Sequence, residues 1–282
     1  MSKVSVHNEW DPVEEIIVGT SLFAKLPTND LGFHALEKLA AESSKSPIQL
    51  GNFPQYIIDE TEEDLANFVK ILEKLNIIVR RPTAIDFPGN FKTLDWESQH
   101  YFCYCPRDLL LAIGQSIIET PNVCRSRYFE AYCYKEIMVD YLKSGSKWFS
   151  APKPRLLTEG YDLSNSGGSI ILKELEPVFD AANVIKAGID IFYLISDSGN
   201  QLGAEWLQTI LGETYRVHPC YNLYSGVHID STLSFLRPGL VLVNPSRVNK
   251  NNLPELLKKW EVIEAPEMIE KQYSDLHPIS TK

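Results

Sequence analysis

The sequence predicts an α/β fold built from a repeated supersecondary unit, and three observations lead to this prediction. An apolar β-hairpin, an amphipathic helix and a short strand ending in proline recur in the same order along the chain. Each predicted hairpin turn contains glycine, which tolerates the backbone conformations of tight turns. Hydrophobic residues make up 44% of the 282 residues, enough for a sizeable core. Units of this kind cannot bury their apolar faces alone, so radial stacking about an axis is favoured over an ordinary open α/β sheet.

The first full copy begins at Asp108, where two apolar strands flank Gly114 and predict a hairpin. A helix is predicted over 127–145, ending at Gly145, because glycine is favoured at helix C-termini. A short strand then runs to Pro152. The second copy begins at Asp180, turns at Gly188, has a predicted helix over 200–213 and ends at Pro219. The third copy begins at Asp230, turns at 238–239, has a predicted helix over 253–260 and ends at Pro266.

An incomplete copy opens the chain. Segment 13–19 predicts one strand, 61–76 predicts a helix capped by Thr61, and 77–82 predicts a second strand ending at Pro82. Five apolar side chains share one face of this helix and predict that it lies on a core: Leu65, Phe68, Val69, Leu72 and Leu75.

Composition limits the classes of function. The chain carries 37 Asp and Glu against 27 Lys and Arg, a formal charge of −10, so no nucleic-acid partner is expected. No apolar run is long enough to span a membrane and the N-terminus lacks a secretory-signal pattern, so a cytoplasmic protein without a membrane partner is expected. Segments 40–54 and 82–92 are rich in turn-forming residues and predict surface loops within a single domain spanning residues 1–282.

The cysteines give little sign of cross-linking or metal binding. They are an odd number scattered through the chain, which argues against a disulfide framework and predicts reduced thiols: Cys103, Cys105, Cys124, Cys133 and Cys220. Their spacing offers no paired ligand motif, so no metal is expected.

Carboxylates at equivalent places of the three full copies are the strongest indication of function. Asp108, Asp180 and Asp230 each stand just before a predicted hairpin, and equivalent positions of a radial repeat point towards one axis. Converging carboxylates need a cation, and a planar guanidinium suits them. The alternative is that each aspartate is only a turn or capping residue.

One histidine stands beside this set. His228 precedes Asp230 by two residues, which would place both on the same side of an extended strand, and it is a candidate acid and base. The other histidines have no such setting and are interpreted as surface or packing residues: His7, His34, His100, His218 and His277.

Several sequence blocks resemble the arginine amidinotransferases, the family that contains glycine amidinotransferase and inosamine-phosphate amidinotransferase. They include NEWDPVEEIIVG, PRDLLLAIGQSIIETP, EPVFDAANV, HIDST and RPGLVLVNPSR, and they span the chain. The resemblance leans towards the inosamine-phosphate branch and the related enzymes of guanidinium-toxin pathways. It implies a pentein-type α/β-propeller of five ββαβ modules, and a role in secondary-metabolite biosynthesis.

The resemblance also implies a reaction and a set of site residues. L-arginine would give its amidino group to an amine, such as glycine, an aminocyclitol phosphate or a polyketide amine, and ornithine would leave, without a cofactor. A cysteine thiolate would carry the amidino group in a ping-pong mechanism. Asp180 and His228 match catalytic positions, and five further positions match substrate-binding ones: Asp108, Asp230, Arg247, Ser280 and Thr281. The threonine is a departure from a serine, though it keeps the hydroxyl.

A second departure concerns the nucleophile. The family's catalytic cysteine follows a glycine-rich stretch ending His-Cys near its C-terminus, and no such stretch precedes Lys282. The expectation is therefore a propeller incomplete at its last module, whose 282 residues are inactive alone. Two alternatives are a non-catalytic guanidinium-binding fragment and a guanidine-hydrolysing deiminase. Homo-oligomerisation and the identity of the acceptor stay open.

Overall fold

Seventeen strands and four α-helices form the part of the chain that the structure, a computed structural model, describes: residues 4–27, 30–32, 51–87, 89–162, 164, 171–224 and 226–266. The strands are β1 (Glu15–Ile17), β2 (Lys25–Leu26), β3 (Gly51–Asn52), β4 (Ile78–Arg80), β5 (Asn90–Lys92), β6 (Glu97–Gln99), β7 (Leu110–Ile113), β8 (Ser116–Glu119), β9 (Lys147–Ser150), β10 (Tyr161–Asp162), β11 (Ile171–Leu172), β12 (Val184–Ala187), β13 (Asp190–Leu194), β14 (Arg216–Cys220), β15 (Leu233–Arg237), β16 (Leu240–Val243) and β17 (Glu261–Glu264). The helices are α1 (Gln55–Lys74), α2 (Pro106–Leu109), α3 (Lys135–Lys143) and α4 (Gln201–Leu211).

The three predicted copies form three modules of the same topology. In each, an antiparallel hairpin is joined by a third strand parallel to its second strand, giving the sheets β7-β8-β9, β12-β13-β14 and β15-β16-β17. The hairpin turns contain Gly114, Gly188 and Gly239, all with positive φ, which only glycine adopts at no steric cost. The repeated hairpin and third strand predicted from the sequence are therefore confirmed, and the structure shows that the third strand is parallel to its neighbour.

The helices between hairpin and third strand differ from module to module. In the first module, 3₁₀ turns cover Arg125–Arg127 and Glu130–Tyr134 before α3 begins, and Gly145 follows with φ 90° as expected. In the second, Asn200 caps α4 by accepting a hydrogen bond from Gly203 N at 3.0 Å. In the third, the predicted helix is only a 3₁₀ turn at Glu255–Lys259.

The opening copy keeps only part of the module. Both predicted strands are present, as β1 and β4, and they pair in parallel register. Helix α1 begins after Pro54, so Thr61 is not its cap; the Thr61 hydroxyl donates to Ile57 O at 2.6 Å instead. The predicted apolar face is also partly wrong, because Leu72 is buried whereas Phe68 is 45% exposed and Leu75 is 65% exposed.

Buried side chains join neighbouring modules. One cluster combines Leu111 and Ile118 of the first module with Ile191 and Tyr193 of the second. Another combines Phe192 of the second module with residues of the third, including Leu233 and Val241. The ends of the hairpins are thereby held at fixed positions relative to one another, which places the residues that precede each hairpin close together.

Cys103 and Cys133 are joined in a disulfide, which corrects the expectation of reduced thiols throughout. The two cysteines are 30 residues apart in sequence, and the packing of the segment before α2 on the 3₁₀ turn Glu130–Tyr134 brings their sulfurs together. An odd cysteine count argues against a full framework of pairs but does not exclude one pair. Within the described residues, no helix is both long and apolar enough to cross a membrane.

Candidate active site

Two of the three predicted carboxylates are presented by short turns that lead into hairpins. Asp108 lies in α2, which begins with Pro106 and runs directly into β7. Asp180 precedes the 3₁₀ turn Ala181–Asn183, which leads into β12, and its side chain makes no capping hydrogen bond. The Asp180 carboxylate can therefore bind another group. The alternative interpretation, that Asp180 is only a capping residue, is disfavoured.

His228 lies in a loop rather than in the extended strand assumed from the sequence. Residues 226–232 form turns before β15, and Ser231 Oγ and Leu233 N donate to the carbonyl oxygens of His228 and Ile229. The sequence argument placed His228 and Asp230 on one side because side chains alternate along an extended strand. Its premise is wrong, since side chains do not alternate in this way in turns. Asp230 is exposed, whereas His228 is largely covered.

The side chains of His228, Asp180 and Asp108 meet between modules. His228 Nε2 lies 3.0 Å from Asp180 Oδ2, and His228 Nδ1 lies 3.8 Å from Asp108 Oδ1. Asp180 Oδ1 accepts a hydrogen bond from Asn122 Nδ2 at 2.7 Å, and Cys124 N donates to Asn122 Oδ1 at 2.8 Å. Asn122 thus fixes the carboxylate that orients the imidazole.

Burial and charge set the protonation of this group. Burial raises the pKa of Asp180, and the hydrogen bond from His228 opposes that change. Burial by itself lowers the pKa of His228, but the bond to Asp180 and the fields of Asp180, Asp108 and Asp230 outweigh it and raise the pKa above the ordinary value. The neighbouring carboxylates therefore favour the protonated form of the imidazole.

Asp108 is also held from the side opposite His228. Arg127 Nη1 donates to Asp108 Oδ2 at 2.6 Å, and Arg127 Nε and Nη2 donate to both oxygens of Glu130 at 2.6 and 3.0 Å. Glu130 has no exposed side-chain surface, and burial raises the pKa of its carboxyl to about 7 even though Arg127 lowers it.

The remaining predicted site residues are placed less centrally. Asp230 acts on His228 through its field, and the described contacts include no bond between them. Arg247 Nη1 donates to Ser231 Oγ at 2.8 Å, and its guanidinium carbon lies 3.6 Å from the centroid of the Tyr224 ring. Ser280 and Thr281 lie outside the described residues.

A second His–Asp pair has a simpler explanation. His218 Nε2 lies 2.8 Å from Asp190 Oδ1, and the two residues are diagonal neighbours on adjacent strands β14 and β13. A cavity of about 370 Å³ adjoins His218 and Cys220, and its lining does not include Asp108, Asp180 or His228. The packing role predicted for His218 is compatible with this cross-strand contact.

The cysteine environments do not favour a thiolate. Cys103 and Cys133 are bonded to each other, so neither offers a thiolate, and His100 Nε2 lies 3.7 Å from Cys103 Sγ. Burial raises the pKa of Cys124 well above its usual range, and it raises those of Cys105 and Cys220 to about 12.

Sequence reasoning missed three polar residues of this site: Asn122, Arg127 and Glu130. Arg127 and Glu130 fall in the segment that was predicted as an amphipathic helix, where charged residues are expected to face solvent. Their i, i+3 spacing was a usable signal of pairing, but their burial depends on the modules around them.

Comparison with known proteins defines first the class of fold and then the family. The solved structure of inosamine-phosphate amidinotransferase from Streptomyces griseus superposes with a TM-score of 0.89 over 95% of this chain and 77% of that one. An amidinotransferase of the saxitoxin biosynthetic pathway from Microseira wollei gives 0.82 at 38% identity, over 93% of this chain and 76% of that one. A dimethylarginine dimethylaminohydrolase from Pseudomonas aeruginosa, at 14% identity and 0.52 over 91% of this chain and 78% of that one, shows the fold alone. The class is thus a pentein-type α/β protein, as the resemblance implied.

Sequence similarity then assigns the family. The S. griseus enzyme is 51% identical over 270 residues, which cover 96% of this chain and 78% of the relative. No family model matches the chain. At this identity and coverage the chain belongs to the amidinotransferases, enzymes that transfer amidino groups. That a module is missing stays a prediction.

Proposed function

We propose that the chain uses L-arginine as amidino donor and passes the amidino group to an amine, with release of ornithine. The observation that carries this proposal is the position of His228 between Asp180 and Asp108, which come from different modules and reach it at 3.0 and 3.8 Å. A planar cation with several N–H donors is suited to such a pair of carboxylates.

Charge in the centre favours a guanidinium. Four carboxyl groups lie around it, those of Asp108, Asp180, Asp230 and Glu130, against the guanidinium of Arg127 and the imidazole of His228. Asp108 Oδ1 is directed towards the histidine, while Oδ2 is occupied by Arg127. Asp108 Oδ1 is therefore the oxygen that we assign to the substrate's N–H groups.

His228 is suited to move the proton that both half-reactions require. A cysteine thiolate would add to the guanidinium carbon, the bond from that carbon to the ornithine nitrogen would break, and His228 would protonate the departing amine. The acceptor amine would then attack the amidino-cysteine, lose its proton to His228 and release the thiolate. Because Nε2 is bonded to Asp180, Nδ1 is the ring atom assigned to this transfer.

The carboxylate of arginine needs a separate partner. Arg247 is assigned to it, because its guanidinium is held on the turn that follows Asp230 by Ser231 and stacks on Tyr224. Asp230 is assigned to polar groups of the substrate near the same turn. The role proposed for Ser280 and Thr281, contact with the substrate, stays as the sequence resemblance implied it.

The acceptor proposed is an amine of a secondary metabolite. Relatives carry names that indicate inosamine phosphate at 51% identity and lysine at 37% identity as substrates. We favour an aminocyclitol phosphate, with glycine and a polyketide amine as the other candidates.

We further propose that none of the five cysteines is the nucleophile. Cys105 is the free cysteine whose pKa reflects the fields of Asp108, Arg127 and Glu130, but burial and carboxylates raise that pKa to about 12. A nucleophilic thiol requires the opposite environment, because the thiolate must be populated near neutral pH. The function therefore requires a thiol beyond those five.

Product analysis with L-arginine labelled in its guanidino carbon tests the proposal. The 282 residues alone are expected to release no ornithine, whereas a chimaera continued through the family's final, cysteine-bearing module is expected to release ornithine and label the amine. His228→Asn in the chimaera is expected to remove the activity, since no other described group is placed to protonate the leaving amine. Citrulline as product would establish hydrolysis instead, and ornithine from the 282 residues would overturn the assignment of the nucleophile.

A further inference from the structure

Arg127 is the most completely engaged cation near the candidate active site. Its side chain is 5% exposed, and it donates from Nε and Nη2 to Glu130, from Nη2 to Cys105 O at 3.1 Å and from Nη1 to Asp108 Oδ2 at 2.6 Å. Its guanidinium carbon also lies 4.9 Å from the centroid of the Phe102 ring. The planar group is therefore fixed in both position and orientation.

Glu130 determines where Arg127 points. Both Glu130 oxygens are taken by Arg127, and the carboxylate has no exposed surface. A two-point contact of this kind fixes the plane of a guanidinium, which a single bond would leave free to rotate. The third nitrogen, Nη1, is thereby directed at Asp108.

The contacts of Asp108 show what this orientation achieves. Arg127 binds one oxygen of Asp108 and also the carbonyl of Cys105, whose oxygen accepts from Asp108 N at 3.2 Å. The side chain and the backbone turn that carries it are thus held by the same cation. The second oxygen, Oδ1, is left facing His228.

Charge explains why an arginine here requires a glutamate. Arg127 alone would cancel the charge of Asp108 and repel a guanidinium. When its carboxylate is ionised, Glu130 compensates Arg127, so that the three residues together carry one negative charge and the attraction for a cation is kept.

We propose that Arg127 and Glu130 are positioning residues, which hold Asp108 by one oxygen and direct the other at the guanidinium of the substrate. This inference rests on the proposed function, because it assumes that Asp108 binds arginine. Positioning residues differ from a purely structural salt bridge in one respect. Their effect on ligand affinity depends on the Asp108 carboxylate and is lost when that carboxylate is removed.

A double-mutant cycle on arginine binding tests the inference. Affinity is measured by NMR from the change that L-arginine causes in the His228 ring signals, which are assigned with the His228→Gln variant. Arg127→Lys keeps the charge but loses the planar fork, and Glu130→Gln keeps the volume but loses the charge. Each is expected to weaken arginine binding about tenfold or more, and by less than about twofold in the Asp108→Asn background.

Arg125 provides the matched control. It is a buried arginine near the same 3₁₀ turn, but its guanidinium donates to Leu156 O and Thr158 Oγ1. Arg125→Lys is expected to lower stability without changing the arginine affinity. Should Arg127→Lys fail to fold, Glu130→Gln carries the test, because it changes no side-chain volume.

The outcomes separate this inference from the function on which it rests. Equal losses of affinity in the native and Asp108→Asn backgrounds would overturn the positioning role, as would unchanged affinity in both variants. If Asp108→Asn itself leaves arginine binding unchanged, the proposed function loses its guanidinium site, and the positioning role is lost with it.

Discussion

His228 receives its chemical character from two carboxylates and an amide that lie far apart in the sequence. Asp180 holds one ring nitrogen, Asn122 holds Asp180, and Asp108 faces the other nitrogen. This order makes Asp180 the residue that orients the imidazole and leaves Nδ1 facing Asp108. The raised pKa of His228 follows from these neighbours, despite the burial that opposes it.

The stability of the protein should depend on pH through His228. A histidine whose pKa is raised by folding stabilises the native state fully below about pH 6.5, the pKa of an unfolded histidine, and loses that contribution as the pH rises through the folded pKa. The difference in unfolding free energy between the native protein and His228→Gln is therefore expected to be larger at pH 6 than at pH 9. Urea denaturation at the two pH values measures it.

The Asp180→Asn background serves as the control for this dependence. Without the carboxylate that binds Nε2, the effect of His228→Gln on the unfolding free energy is expected to differ less between the two pH values. If the difference in unfolding free energy between the native protein and His228→Gln instead grows with pH, burial rather than the carboxylates dominates the pKa of His228.

At the level of single residues, the sequence predicted the candidate acid, base and carboxylate residues but not the polar residues that hold them in place. Asp108 and Asp180 could be identified because equivalent positions of a repeat meet at the axis, whereas His228 was identified by an alternation argument that does not hold in its loop. Asn122, Arg127 and Glu130 could not, because their roles depend on burial by neighbouring segments. Asp230 was expected to lie on the same side of an extended strand as His228, yet its position in a turn leaves the side chain exposed.

Among the elements, the hairpins of the modules were the most predictable. Their strands are short apolar runs on either side of glycine, a local pattern that needs no tertiary context. Helix α1 and the 3₁₀ turn Glu255–Lys259 were less predictable, because their start and length depend on what they pack against.

Two equivalent turn glycines should respond differently to alanine. Gly114 and Gly188 both have positive φ, so alanine at either is expected to cost about 1–2 kcal/mol. At Gly114 the added Cβ would also lie 2.3 Å from Tyr215 Oη, whereas it meets nothing within 4 Å at Gly188. Gly114→Ala is therefore expected to lower the unfolding free energy by about 1 kcal/mol more than Gly188→Ala, measured by urea denaturation.

Replacing the tyrosine isolates the steric part of this effect. Tyr215→Phe removes the nearest atom, so the extra cost of Gly114→Ala is expected to fall in that background. Equal costs for the two alanine variants would show that Tyr215 moves aside freely.

For the whole molecule, packing between modules creates the site. Shared clusters of buried side chains fix the first module against the second and the second against the third, and the candidate site residues Asp108, Asp180 and His228 meet between modules. The repeat and the order of its elements could be predicted from the sequence. The distances between modules could not, because they depend on how side chains interdigitate in these clusters.

Comparison of L-arginine with L-citrulline as ligands tests most directly the central claim that Asp108, held beside the His228–Asp180 pair, binds a guanidinium. Citrulline has nearly the same shape but carries a neutral urea group. NMR titration at neutral pH is expected to show arginine binding about tenfold or more tightly, since hydrogen bonds between charged groups are worth about 1.5–3 kcal/mol, and Asp108→Asn is expected to remove most of that preference. Equal affinity for the two ligands, or a preference for arginine that survives Asp108→Asn, would contradict the account.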